Sequence, residues 1–251
     1  MKFMQNLDMD KIYHFLFNSK HFPLHFSVQS IATCISLRKI SKKQPWWKSL
    51  MLGSLTTLVG RVLIAYVTER PNPLFENPFL LPTFFFIWFL VNASPFDLIC
   101  RFICFPPVIF VVECLYAIVQ VRQIIHGISI AEKAFVNSVT GIISVSLILS
   151  SSESFIWIFT GRESRDFSVP VIMKNIILTC SYYYFLKNPV TIGHVVFEKT
   201  QLSFCMLFIR LIEVIINDIV FGIDSTKSID LVLYHFFGKF VPYYGDRRKT
   251  K

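Results

Sequence analysis

The chain has 251 residues, of which 53% are hydrophobic and 16% charged, with a formal net charge of +9. A soluble domain carries roughly a quarter charged residues, and the 27 Phe exceed what one soluble core hides, so a water-soluble globular protein is excluded. The length suits one compact membrane domain with no dividing linker, and the expected class is an all-α integral membrane protein.

Residues 1–20 lack a continuous apolar stretch, so no signal peptide is expected. A hydrocarbon core about 30 Å thick needs roughly 20 mostly apolar residues as helix, and backbone groups in lipid must be satisfied internally. On that basis spans are expected at 22–37, 46–67, 79–96, 102–126, 134–159, 169–186 and 202–222, about seven in all. The first is short and polar (His25, Ser27, Gln29, Ser30, Thr33, Ser36), which places it inside a bundle. The run Ser150–Ser154 blurs the end of the fifth.

Lys and Arg in the loops set the orientation. The first loop holds Arg38, Lys39, Lys42, Lys43 and Lys48, and the segment after the last span holds Lys227, Lys239, Arg247, Arg248, Lys249 and Lys251. Across seven spans these share a side, which should be cytosolic, so 1–20 should be luminal and 223–251 a cytosolic basic tail. The tail's Arg248-Lys249-Thr250-Lys251 reads either as a dilysine-type retrieval signal or as plain surface charge. Basic residues spread over separate loops fit a membrane surface, and no nucleic-acid partner is expected. The six cysteines form no CxxC pair, so neither a disulfide framework nor a metal site is implied.

Phe22-Pro23 and Phe105-Pro106 open two spans, with Lys39 and Arg122 equally far downstream. This hints at two three-helix repeats, 21–98 and 99–190, plus a seventh helix at 201–222. Inverted repeats place a functional path at their interface near the midplane. Polar side chains inside lipid face the bundle or water. In the second span Ser54, Thr57, Arg61 and Thr68 recur near helical spacing, beside Gly53 and Gly60. The fifth carries Asn137, Thr140, Gly141 and Ser144. Such stripes read as interhelical glue or as a shared polar path, and a mid-span glycine permits a local break. Arg61 stays charged and needs a carboxylate, phosphate or water; it is either a barrier in a conduit or a paired structural residue. In the last span Arg210 and Glu213, three apart, can pair locally, with Asn217 and Asp218 beyond. Glu113, Tyr116 and Gln120 share a face of the fourth span, and Arg122 either binds a lipid phosphate or snorkels. No GxSxG, HExxH, Walker A or GxGxxG occurs, so no catalytic residues are assigned.

Asn92-Ala93-Ser94-Pro95-Phe96-Asp97-Leu98 followed by Cys104-Phe105-Pro106-Pro107-Val108 resembles the CPLDL…FLPV stretch of trimeric intracellular cation (TRIC) channels. Phe22-Pro23-Leu24, Gln44-Pro45-Trp46, Thr68-Glu69-Arg70-Pro71, and Val119 to Ile124 with Gly127-Ile128, are similar to that family's FPV, HP, LGEP and RxRKI…GI motifs in order, over about 20–222. The resemblance implies seven helices, the first six as two inverted repeats. It implies a homotrimer with a pore in each subunit, conducting monovalent cations, chiefly potassium. The membrane would be endoplasmic or sarcoplasmic reticulum or nuclear, and the flux would balance charge during calcium release, without catalysis. Glycine-broken second and fifth helices would line the pore, giving Gly53, Thr57, Gly60, Arg61, Asn137, Thr140, Gly141 and Ser144 as expected path residues. Phosphoinositide would sit by helix four, where Tyr116 and Gln120 replace basic residues and Arg122 remains. Thr140 replaces a Lys, Ile143 a second glycine, and Arg61 a small residue, as if the path's positive charge had moved between helices. A non-conducting relative, and a multispan lipid-modifying enzyme using His21 and His25, stay open as alternatives.

Overall fold

The computed structural model describes residues 9–17, 23–40, 45–136, 138–159, 169–188, 191–192, 195–196 and 198–215. The expectations for His21, Asn137, Asn217, Asp218 and the basic tail lie outside them.

The described chain is helical apart from one two-residue hairpin. Helix α1 is Met9–Phe17, α2 Leu24–Ile40, α3 Trp46–Val67, α4 Pro73–Glu76, α5 Leu80–Asn92, α6 Leu98–Ile103, α7 Pro106–Ala134, α8 Val139–Phe159, α9 Val169–Lys187 and α10 Lys199–Ile215. Strands β1 (Thr191–Ile192) and β2 (Val195–Val196) pair antiparallel between α9 and α10. Proline sets several of these starts. Pro106 and Pro107 occupy the first turn of α7, where their missing N–H groups are not needed. Asn72 accepts from the Leu74 amide and caps α4, with Pro73 at its first position.

Among the described residues three helices, α3, α7 and α8, are long and apolar enough to cross a bilayer. A fourth crossing exists if α5 and the segment Pro95–Ile103, bent by 81°, count as one. Helices α2, α9 and α10 have 17, 19 and 17 residues, about 26–29 Å at 1.5 Å per residue. They fall short of the same length-and-composition measure because they are shorter or more polar. Helix α7 runs eight residues past the expected end at 126, and α8 begins at 139 instead of 134.

The bend after α5 has a local cause. Ser94 is extended, Pro95 follows, and Phe96 and Asp97 both lie in the left-handed region (φ 53° and 58°). No helix continues through such backbone. Arg38 of α2 ties the elbow down, donating to the Val91 carbonyl (2.6 Å) and pairing with Asp97 (2.6 Å).

The apolar core divides into two clusters. One joins α2, α3 and α5 through Phe26, Cys34, Ile35, Leu58, Phe84 and Trp88. The other joins α7, α8, α9 and α10 through Val121, Ile124, Ile128, Ile142, Tyr182 and Met206, with Ile64 of α3 reaching in. Helix α2 packs on α3, α5 and α7, and its Gln29, Ser30, Thr33 and Ser36 are buried as its polarity predicts. Much of the phenylalanine faces outward: Phe75, Phe79, Phe86, Phe89, Phe102 and Phe105 are exposed, a surface suited to lipid.

Candidate functional site

The seam between the two clusters is polar. Three glycines set how closely the helices approach. A Cβ on Gly60 of α3 would lie 2.6 Å from Ser152 Cβ and 3.1 Å from the Ile148 carbonyl of α8. A Cβ on Gly127 of α7 would lie 2.7 Å from Ser146 Cα, also on α8. Helix α8 is thus gripped from both sides by missing side chains. A Cβ on Gly53 would meet the ends of Leu37 and Phe84, each at 2.9 Å, so Gly53 seats α3 against α2 and α5.

This close packing encloses four polar side chains from four helices. Gln29 Nε2 of α2 donates to Glu153 Oε1 of α8 at 2.7 Å. Tyr116 Oη of α7 donates to Glu153 Oε2 at 2.6 Å. Arg61 Nη2 of α3 donates to Gln29 Oε1 at 3.0 Å. Arg61 and Glu153 feel each other's charge, yet no ion pair joins them; the Gln29 amide stands between. Glu153 and Gln29 are 6% and 2% exposed, so a carboxylate is held by neutral donors inside the bundle with a guanidinium one side chain away. The Arg61 guanidinium also lies over the Phe26 ring, 5.0 Å from its centroid.

A cavity of about 770 Å³ reaches this network from one side. Arg61 lines it, with Arg70, Arg122, His126, Glu76 and Leu149 among its other walls. Arg122 Nε donates to the Phe17 carbonyl at 3.2 Å.

The expected path residues do not all meet here. Arg61 reaches both cavity and network, and Gly60 lies in the α3–α8 contact beside it. Thr57 is buried and donates to its own helix at the Gly53 carbonyl. Thr140 and Ser144 are exposed near the start of α8, and Thr140 Oγ1 lies 3.2 Å from Ser138 Oγ. Gly141 falls in the first turn of α8, its amide held by Ser138 Oγ at 3.1 Å. It therefore does not break the helix at mid-span, and α3 is likewise continuous through Gly60. Of the expected lipid contacts, Arg122 lines the cavity, Tyr116 is engaged by Glu153, and Gln120 is absent from the cavity wall.

Glu153 is the residue that sequence reasoning missed. It sits in Ser150–Ser154, which read as a blurred helix end, although a carboxylate within a span is itself a functional signal. A second polar knot lies between α8, α9 and α10. Arg210 pairs with Glu213 at 2.9 Å, as their spacing predicts, and also with Asn175, while Lys174 pairs with Glu213. Asn175 donates to the Ser150 carbonyl (3.1 Å) and Ser151 Oγ (3.0 Å), closing it as a structural tie. His25 bonds the Leu16 carbonyl at 3.1 Å.

A family model described as "TRIC channel" matches residues 36–217. No curated protein matches the sequence. Among solved structures, a trimeric intracellular cation channel from C. elegans with bound Ca2+ superposes with a TM-score of 0.65 at 15% identity, covering 86% of this chain and 99% of that one. The same description without Ca2+ gives 0.62 at 17% identity, covering 83% and 95%. A structure described as the structural basis for activity of TRIC counter-ion channels in calcium release gives 0.62 at 16% identity, covering 82% and 96%. At such identities the likeness is one of fold.

Proposed function

This chain belongs to the TRIC channel family, a family of channels and not of enzymes, and from that premise we propose that it conducts monovalent cations, potassium foremost. The path runs along the seam between α2, α3, α7 and α8 of each subunit of a homotrimer. The membrane is that of the endoplasmic or sarcoplasmic reticulum or the nucleus, and the flux supplies counter-ions during calcium release. The fold neighbours are trimeric cation channels, and one is described in calcium release, which supports trimer, cation and setting together. Seven crossings as two inverted three-helix repeats plus a seventh helix belong to the same proposal, with the N-terminus luminal and the C-terminus cytosolic. The division of the core into two clusters supports it.

One observation carries the path: the joined set Arg61, Gln29, Glu153 and Tyr116, with Gln29 and Glu153 buried where the two clusters meet and Arg61 reached by a cavity. Polar groups this costly in a membrane interior are retained where ions or protons pass. Glu153 is the cation-attracting group on this path. Arg61 stands beside it as the fixed positive charge that sets the barrier, and Gln29 holds the two apart. Thr140, Gly141 and Ser144 lie toward one end of α8, at the mouth of this path. The phosphoinositide proposal narrows to Arg122.

The test is single-channel recording of purified protein in planar bilayers under a potassium gradient, with Arg61→Gln and Glu153→Gln beside the parent chain. Lower cation conductance in Glu153→Gln and altered gating in Arg61→Gln are expected. Currents unchanged by both substitutions place the path elsewhere. Hydrogen bonds join α2, α3, α7 and α8 in one continuous chain across the seam, which favours a second reading as a non-conducting relative, and silence of the parent chain under all potentials would establish it.

A further inference from the structure

The elbow after α5 brings together two sulfurs that the proposed path does not use. Cys100 lies in α6 and Cys104 caps its C-terminal end one turn later, with the Cys104 amide donating to the Cys100 carbonyl at 2.9 Å. Their Sγ atoms are 4.0 Å apart. Both are free thiols, Cys104 exposed and Cys100 half-buried. Residues one turn apart in a helix have Cα atoms about 6 Å apart, within the roughly 4.4–6.8 Å that a disulfide spans. Closing the sulfurs to a bond of about 2.05 Å requires the turn to give. Little resists that, because α6 has six residues and none of them is buried, and segments with few buried contacts open readily.

Arg38 arrives from α2 to pair with Asp97 at this elbow, and both thiols feel its charge. A cation beside a thiol supports the thiolate, the form that reacts with oxidants. Burial opposes charge at Cys100, so the exposed Cys104 reacts first. We infer that Cys100 and Cys104 are a redox-active dithiol, which hydrogen peroxide converts to a disulfide. In the first step the Cys104 thiolate attacks one peroxide oxygen. An S–O bond forms, the O–O bond breaks and hydroxide leaves. In the second the Cys100 sulfur attacks the sulfenic sulfur of Cys104. The S–S bond forms, the S–O bond breaks, and the Cys100 proton leaves with the hydroxyl as water. The two sulfurs give up two electrons and the peroxide oxygens take them. On the proposed orientation the elbow is cytosolic, because Arg38 belongs to the first basic loop. A disulfide formed in that reducing compartment is a transient signal and not a staple.

The experiment uses the full chain in phosphatidylcholine nanodiscs, treated with hydrogen peroxide, blocked with iodoacetamide and digested without reductant. Trypsin cuts after Arg101, between the two cysteines. A disulfide therefore leaves the peptide ending at Arg101 joined to peptide 102–122 until dithiothreitol parts them. Mass spectrometry should find the joined peptides, from a chain that stays monomeric on a non-reducing gel. Cys100→Ser and Cys104→Ser should each abolish them. Cys114→Ser, which removes the other cysteine of 102–122, should leave them. Serine is close to cysteine in size and neither elbow position is buried, so these variants test the chemistry without threatening the fold. Treatment that yields no joined peptide overturns the inference, as does joining that survives Cys104→Ser or that links two copies of the chain. No readout is a current, so the outcome is independent of whether the chain conducts.

Discussion

Gly60 and Gly127 hold α8 from opposite sides, but the atoms they meet differ, and so should the outcome of changing them. Gly60→Ala drives a methyl into the Ser152 side chain and should destabilise by about 1–3 kcal/mol, as overpacking does. Removing that side chain in the double variant Gly60→Ala/Ser152→Gly should recover part of the loss, the contact with the Ile148 carbonyl at 3.1 Å remaining. Gly127→Ala meets Ser146 Cα, which is backbone, so Ser146→Gly should not rescue it. Thermal unfolding midpoints in detergent for the four variants check this, and equal rescue at both places would refute the packing described. Glu153 admits a sharper test. Glu153→Ala removes the acceptor of Gln29 Nε2 and Tyr116 Oη and the carboxylate beside Arg61, and should cost about 3–5 kcal/mol, the usual effect of removing one member of a buried charged set. Adding Arg61→Ala should restore part of it, with a coupling of about 1 kcal/mol or more; strict additivity would show that the two charges are independent. Arg61 was legible as an oddity because a guanidinium inside a span stands out alone. Its circuit was not legible, since Gln29 and Glu153 are 124 positions apart and no local spacing announces a contact between helices.

At the scale of elements, the apolar runs announced α3, α7 and α8, and Phe105-Pro106 announced where α7 begins. The elbow after α5 was not legible. The motif Ser94-Pro95-Phe96-Asp97 marked a span end, but the 81° turn depends on left-handed backbone at two non-glycine residues and on Arg38 arriving from α2. The Arg38–Asp97 pair makes a pH prediction. The Arg38 guanidinium, donating to Asp97, holds its carboxyl below the ordinary carboxylate range. A carboxyl depressed on folding contributes stability above its ordinary pKa of about 4 and loses it as pH falls through the lowered value. The parent chain should therefore unfold at higher temperature than Asp97→Asn at neutral pH, and the gap should shrink as pH falls through the lowered value. A gap that persists undiminished in acid would mean that the pair does not fasten the elbow.

For the whole molecule, composition was enough to place the chain in a membrane, because 16% charged residues with 27 Phe leave too much apolar surface for water. Polarity also foretold that α2 would be enclosed. The number of crossings was harder to read, since helices of 17–19 residues span a bilayer only with help from neighbours and thinning. Topology is checked by labelling Lys48→Cys and Glu76→Cys in sealed vesicles, on a background without the native cysteines. The two should react from opposite sides, and reaction from one side would overturn the proposed orientation. Native mass spectrometry should find three copies. The central claim is that the seam between the two clusters is a cation path containing Glu153 and Arg61. Reversal potential under a potassium gradient, recorded from single reconstituted channels, tests it most directly. The account predicts reversal near the potassium equilibrium potential, with lower conductance in Glu153→Gln. Reversal near the anion equilibrium potential, or a conductance indifferent to Glu153→Gln, would contradict it.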